Sequence, residues 1–217
     1  MLYVINTGKA KAGKSLDRLL KLENVELTIT VGRDAALKAR LAERLRDHGP
    51  RVHLYGWTNQ MPRLLMSHHL VIGKAGGAIV QEAIAARCPM IVNQVIPGQE
   101  EGNARLLEIL KIGAIAENSK ALAERVRDAF AHRGRQWQAW RTALDRVSRP
   151  DAALRLAELV LDQARHATRA PRPLQPFEER SGRDGAPRPG VPKSASVQLC
   201  DFHIHTNYSD GRLALPE

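Results

Sequence analysis

Residues 69–103 read HLVIGKAGGAIVQEAIAARCPMIVNQVIPGQEEGN, and this stretch decides the fold. Its hydrophobic pattern divides it into a strand, a glycine turn, a helix and a second strand, at residues 69–72, 74–77, 77–87 and 89–94. A strand, a helix and a strand in this order form one βαβ unit. Such a unit predicts parallel strands with a helix packed across them.

The same alternation continues on both sides of this unit. Further strands are predicted at residues 2–6, 25–31, 52–56 and 114–117, and further helices at 34–47, 59–67, 100–111, 119–131, 135–149 and 151–165. Strands separated by helices of this length favour a Rossmann-like α/β domain, a doubly wound parallel sheet with C-terminal helices added. The hydrophobic content of 43% is sufficient for such a core.

The glycine turn has the chemistry of an anion site. Free backbone N–H groups and the helix dipole both point at a ligand there, so a phosphate can lie over Gly76 and Gly77. Glu82 follows about one and a half helical turns later and can accept hydrogen bonds from two sugar hydroxyls. Residues 97–103, PGQEEGN, come at the carboxyl end of the next strand, where ligands bind in open α/β sheets. Each feature also has a structural explanation, as a helix cap, a solvated carboxylate or a surface turn.

Together these motifs resemble one family. Residues 74–77 (KAGG), Glu82-Ala83 and residues 97–103 are similar to the C-terminal, donor-binding domain of GT-B glycosyltransferases. The group in question contains the monogalactosyldiacylglycerol synthases and the peptidoglycan N-acetylglucosaminyltransferase. The resemblance covers residues 2–165 and is densest between residues 56 and 103.

The resemblance implies a binding site for a UDP-sugar. Gly76 and Gly77 would approach the diphosphate, Glu82 would hold the ribose hydroxyls, Gln99 and Glu100 would contact the hexose, and Gly56 and Trp57 would border the uracil. The donor-binding set also includes Lys74, which would add positive charge, and Ala75 and Asn103. One departure concerns the phosphates. The family often has threonine or serine soon after the glycines, whereas this chain has Ala78-Ile79, so backbone amides must replace a hydroxyl.

The resemblance also implies which functions the other half of a GT-B enzyme would supply. A GT-B enzyme has two Rossmann-like halves, and its acceptor site and usually its catalytic base belong to the N-terminal half, which this chain lacks. No catalytic residue can therefore be named here. The complete enzyme would transfer a hexosyl group to a lipid-type acceptor with inversion, and this half would need no metal or other cofactor.

A competing motif lies at residues 8–15, GKAKAGKS, which match the phosphate-loop pattern G-x-x-x-x-G-K-[ST]. In that pattern the backbone around Gly8 and Gly13 would cradle phosphates, Lys14 would neutralise them and Ser15 would bind Mg²⁺. No predicted strand ends in the aspartate that such a site needs, because Asp34 is better explained as the cap of the following helix. A P-loop nucleotide-binding protein remains one alternative, and a catalytically silent fragment of a fusion is another.

The composition changes beyond residue 165. Residues 166–197 are rich in Pro, Arg and Gly and predict a disordered linker. Residues 198–217 place His203 and His205 on one face of a short strand, with Asp210 in the next turn, an arrangement suited to divalent metals. HIHTNYSDG resembles the first motif of the polymerase and histidinol phosphatase (PHP) family of phosphoesterases. The metal site would be incomplete, so we expect no phosphoesterase activity.

Net charge and cysteine content bear on the partners and the cellular location of the protein. The net charge of +10 suits an anionic membrane surface, and no nucleic-acid-binding motif accompanies it. Cys88 and Cys200 do not suggest a disulfide framework. The first residues do not show the basic segment and apolar run that are typical of a signal peptide, and no apolar run approaches about 18 residues. We therefore expect a cytoplasmic protein that can associate peripherally with the inner face of the membrane and does not bind nucleic acid. For His68 and His69 we expect structural roles.

Overall fold

The computed structural model describes residues 1–5 and 9–166. Six parallel strands form one sheet in the order β3-β2-β1-β4-β5-β6. In chain order the elements are β1 (Leu2–Val4), α1 (Lys9–Leu20), β2 (Leu27–Thr30), α2 (Ala35–Leu45), a 3-10 segment (Arg46–Arg51), β3 (Val52–Tyr55), α3 (Met61–Ser67), β4 (Val71–Lys74), α4 (Gly77–Ala85), β5 (Met90–Gln94), α5 (Glu101–Ile109), β6 (Gly113–Ile115), α6 (Ser119–Val147) and α7 (Ala152–His166). The predicted doubly wound parallel sheet is confirmed.

The central strands are buried along most of their length because helices cover both faces of the sheet. Leu2, Ile29, Val71 and Ile91 are all fully or almost fully buried. Two hydrophobic clusters result, one on each face. The first contains Leu16, Leu19, Leu41 and Leu122 from α1, α2 and α6, and the second contains Leu65, Val80, Leu107 and Leu144 from α3, α4, α5 and the end of α6.

The strand order reverses between β1 and β4. From β1 the chain adds β2 and β3 on one side, and then crosses to add β4, β5 and β6 on the other. The connections that leave the carboxyl ends of β1 and β4 therefore diverge to opposite faces and open a crevice, which is where ligands bind in this class of sheet. Lys74 ends β4 at this point.

Two local predictions are confirmed at the helix ends. Asp34 caps α2, since its Oδ1 accepts from the Leu37 N–H over 2.9 Å. Helix α6 is broken at residues 131–134, where His132, Arg133 and Gly134 have φ between 51° and 73°. This break separates the two helical segments predicted on either side of it.

Residues 1–150 belong to one compact unit and α7 belongs to a second. Helix α7 carries five exposed aliphatic side chains, those of Leu154, Leu156, Leu159, Val160 and Leu161. The sequence-based boundaries at residues 165 and 197 stay predictions, and both the linker beyond residue 166 and the tail lie outside the described residues.

The pairing of β5 with β6 depends on the absence of a side chain at Gly113. Gly113 lies opposite Met90, and a Cβ there would come within 2.0 Å of the Met90 carbonyl oxygen. We expect Gly113→Ala to lower the free energy of unfolding by roughly 2 to 4 kcal/mol, because backbone must move to accept the methyl group. Urea denaturation measures this difference.

The matched control is Gly102→Ala on α5, where an added Cβ meets nothing within 4 Å. Alanine favours a helix over glycine by up to about 1 kcal/mol, so this variant should be as stable as the parent or more so. If the two variants unfolded at the same urea concentration, the β5–β6 register described here would be wrong.

Candidate functional site

The glycine turn connects β4 to α4 at the crevice. Helix α4 begins at Gly77, and Gly76 is its N-cap with extended backbone angles and no side-chain cap hydrogen bond. The N–H groups of the first helical turn have no partner within their own helix. Without a capping side chain they remain available to a ligand, which is the usual arrangement at phosphate-binding helix termini.

The second motif, residues 97–103, follows β5 and leads into α5. Gly98 has a φ of 80°, a left-handed conformation that favours glycine. Its N–H donates to Glu101 Oε1 over 2.7 Å, and this bond lowers the pKa of the Glu101 carboxyl. The turn brings the start of α5 beside the start of α4.

Two side-chain hydrogen bonds join the motifs directly. Lys74 Nζ donates to Glu100 Oε1 over 2.8 Å, and Asn103 Nδ2 donates to the Ala75 carbonyl oxygen over 3.0 Å. Ala75 is fully buried, and its N–H donates to the Gln94 carbonyl oxygen. The structure thus brings together six of the predicted donor-site residues, Lys74, Ala75, Gly76, Gly77, Glu100 and Asn103.

Glu82 lies on the exposed side of α4. It shares a helical face with Ala78, four residues earlier, at the start of the helix that follows the glycine turn. Its side chain is exposed, but the protein around it removes enough water to raise the pKa of the Glu82 carboxyl. A carboxylate that has lost part of its hydration accepts hydrogen bonds from a ligand at lower cost.

The turn after β3 carries an aromatic surface. Trp57 is 60% exposed, and the Arg33 guanidinium lies 5.5 Å from the centre of its ring. A Cβ on Gly56 would touch Lys38 Cδ at 3.5 Å and the Gly32 carbonyl oxygen at 3.6 Å, so the two turns pack closely. Sequence patterns predicted Gly56 and Trp57 as site residues but missed Arg33. Arg33 could have been identified because it comes just after a predicted strand and therefore lies at the same edge of the sheet.

Trp57 and the glycine turn occupy the same edge but are not in contact. Strands β3 and β4 are separated by β2 and β1, which corresponds to three strand spacings, about 14 Å. A third predicted site residue, Gln99, lies exposed in the turn before α5. The edge therefore presents an aromatic surface at β3 and a set of backbone donors at β4.

The described residues of the competing phosphate-loop motif, from Lys9 onward, belong to a helix. Helix α1 begins at Lys9, so Gly13, Lys14 and Ser15 lie inside a helix, where N–H groups bond to preceding carbonyls. Ser15 is buried and makes a side-chain hydrogen bond with Tyr3, while Lys14 is exposed. Gly8 lies outside the described residues. The described part of this motif therefore has neither the amides nor the hydroxyl that a Mg²⁺-nucleotide would need.

His68 and His69 have structural contacts, as predicted. His68 Nδ1 lies 2.7 Å from the Leu64 carbonyl oxygen and Nε2 lies 2.8 Å from Thr28 Oγ1. Burial lowers the pKa of His68, so the neutral ring donates from Nδ1 and accepts at Nε2. His69 packs edge-on against Trp137. Both line a cavity of about 900 Å³ at the amino-terminal edge of the sheet, opposite the glycine turn.

Within residues 1–5 and 9–166 no group of three His, Cys, Asp or Glu side chains could hold a metal ion. No helix in the same residues has the length and apolar character to cross a membrane. The predicted metal ligands His203, His205 and Asp210 lie outside this part of the chain.

Comparison with known proteins agrees with this geometry. The model of the glycosyltransferase family 28 C-terminal domain matches residues 9–143. A processive diacylglycerol beta-glucosyltransferase of Staphylococcus carnosus is 29% identical over 128 residues, covering 56% of this chain and 32% of the relative. The chain spans about a third of the length of the curated relatives it matches.

Solved structures share the fold at low sequence identity. Acinetobacter baumannii MurG has a TM-score of 0.56 at 16% identity, covering 75% of this chain and 52% of MurG. Anabaena HepE, crystallised with UDP-glucose, has a TM-score of 0.51 at 16% identity, covering 74% of this chain and 48% of HepE. A six-stranded parallel sheet, a glycine turn at its switch point and a family match over more than half of the chain lead to one conclusion: the chain belongs to the glycosyltransferase family 28 C-terminal domain family.

Proposed function

We propose that the chain binds a UDP-hexose, the sugar donor of a GT-B glycosyltransferase. The observation that carries this proposal is the direct bonding of the KAGG turn to the PGQEEGN turn at the switch point of the sheet. That arrangement places uncapped helix amides and the Lys74 ammonium side by side. Both stabilise negative charge, which a diphosphate carries in the bound donor and gains when it leaves the sugar.

The donor would lie along the carboxyl edge of the sheet. Its diphosphate would contact the Gly76 and Gly77 backbone and Lys74, while Glu82 would hold the ribose hydroxyls. The uracil would lie against the turn of Gly56 and Trp57, and Arg33 beside Trp57 supports this, since the pair offers a flat surface with a charged border. Gln99 would reach the hexose.

The acceptor would be a lipid, and a separate N-terminal half would bind it and supply the catalytic base. The curated relatives, named as diacylglycerol glucosyltransferases, support a glucosyl donor and a diacylglycerol-type acceptor. The net charge of +10 would favour peripheral contact with anionic lipid. We propose that the donor half needs no metal, since its amides and Lys74 supply the positive charge.

Calorimetric titration of the chain with UDP, UDP-glucose and Mg-ATP tests the donor assignment. We expect UDP and UDP-glucose to bind and Mg-ATP not to, because residues 13–15 lie within α1. Binding of Mg-ATP alone would restore the phosphate loop as the functional centre. An absence of binding by all three nucleotides would refute the proposal.

The role of Glu82 can be tested with a ligand that lacks one hydroxyl. Glu82→Ala should weaken UDP binding by about 1 to 3 kcal/mol, because it removes a charged acceptor from two hydroxyls. It should also remove most of the preference of the protein for UDP over 2′-deoxy-UDP. Glu108→Ala, an exposed carboxylate on α5, is the control and should change neither affinity. If Glu82→Ala bound UDP like the parent, Glu82 would not belong to the site.

A further inference from the structure

Glu100 is a charged side chain buried at the edge of the candidate site. The residue is 4% exposed, and both of its carboxylate oxygens have protein partners. Oε1 accepts from Lys74 Nζ over 2.8 Å, and Oε2 accepts from the Ile96 N–H over 3.1 Å. Removing a carboxylate from water is costly, and a buried ion pair is weak evidence for stability. The pair therefore calls for a functional explanation.

The pair lies directly against the backbone of the glycine turn. A Cβ on Gly76 would come 3.4 Å from Lys74 Cε and 3.6 Å from Glu100 Oε1. On the neighbouring residue, a Cβ on Gly77 would come 3.7 Å from Asn103 Nδ2, the atom that also bonds the Ala75 carbonyl. The turn is thus supported by two side chains from the start of α5, which lie within van der Waals reach of its two glycines.

The bond to Glu100 also determines how many hydrogen-bond donors Lys74 can offer to a ligand. An ammonium has three donors, and the bond to Glu100 uses one of them. Lys74 is the more exposed partner, with 26% of its side chain accessible against 6% for Glu100. A ligand that approaches the turn therefore meets the ammonium before the carboxylate.

We propose that Glu100 is a positioning residue that holds the Lys74 ammonium and the glycine turn in place for the donor diphosphate. This inference rests on the proposed UDP-hexose site and deepens it. The resemblance to the family implied a hexose contact for Glu100. The structure adds a second role, because each of its oxygens accepts a hydrogen bond from the protein.

The two roles of Glu100 predict different losses of affinity. A positioning residue acts on the diphosphate, which UDP and UDP-glucose share, so both should bind more weakly by the same factor. A sugar contact acts on the hexose alone, so only UDP-glucose should lose affinity. The ratio of the two dissociation constants therefore separates the roles, and an effect limited to overall stability would not change either constant in folded protein.

The experiment measures dissociation constants for UDP and UDP-glucose in the full chain and in Glu100→Gln. Glutamine keeps the size of the side chain but removes the charge that holds Lys74. We expect both constants to rise by the same factor, about ten- to a hundredfold, the value of a charge-assisted hydrogen bond. Glu108→Gln makes the same charge change at an exposed site on α5 and should leave both constants unchanged.

Lys74→Met provides the second variant in case Glu100→Gln does not fold. It removes the ammonium and keeps the partly exposed aliphatic chain, and it should weaken UDP and UDP-glucose equally. In the double variant, Glu100→Gln with Lys74→Met, the two losses of nucleotide affinity should not add, because Glu100 acts through Lys74.

Loss of UDP-glucose binding with UDP binding intact, in either variant, would overturn the positioning role and leave the donor site standing. Fully additive losses in the double variant would also overturn it. Parent protein that bound neither nucleotide would overturn the proposed function, and the positioning role with it.

Discussion

The structure depends on one topological constraint, the reversal of strand order between β1 and β4. Parallel strands that continue on both sides of a central pair must send their connections to opposite faces of the sheet. The gap between those connections is where ligands bind in this class of sheet. The KAGG turn ends β4 at this gap, and PGQEEGN ends the next strand beside it. The side-chain hydrogen bonds between predicted donor-site residues, those of Lys74 with Glu100 and of Asn103 with Ala75, join these two turns.

The chemistry of the edge follows from how charge is distributed on it. Uncapped amides at the start of α4 and the Lys74 ammonium provide positive potential, while Glu100 neutralises part of it from below the surface. A buried carboxylate beside a phosphate site would repel its ligand if it were unpaired. Paired with Lys74, it fixes a cation next to the helix terminus, and in the proposed site the two sources of positive charge would act on the same diphosphate.

Sequence patterns predicted the parts of the molecule that local physics controls. Hydrophobic periodicity placed the strands and helices, and the position of Asp34 before an amphipathic run identified a helix cap. Contacts between distant residues were not predictable in this way. The Lys74–Glu100 bond joins residues 26 positions apart, and Arg33 meets Trp57 across two turns. The phosphate-loop match failed for the same reason, because a short pattern cannot tell a loop from the interior of α1.

The most direct test of the account is the response of individual backbone amides to nucleotide. In ¹H–¹⁵N spectra of the full chain, titration with UDP should shift the signals of Gly76, Gly77 and Ala78 most strongly, because their N–H groups would donate to the diphosphate at the start of α4. Signals from residues 13–15 should stay where they are. Shifts confined to α1, with the signals of the KAGG turn unchanged, would contradict the account.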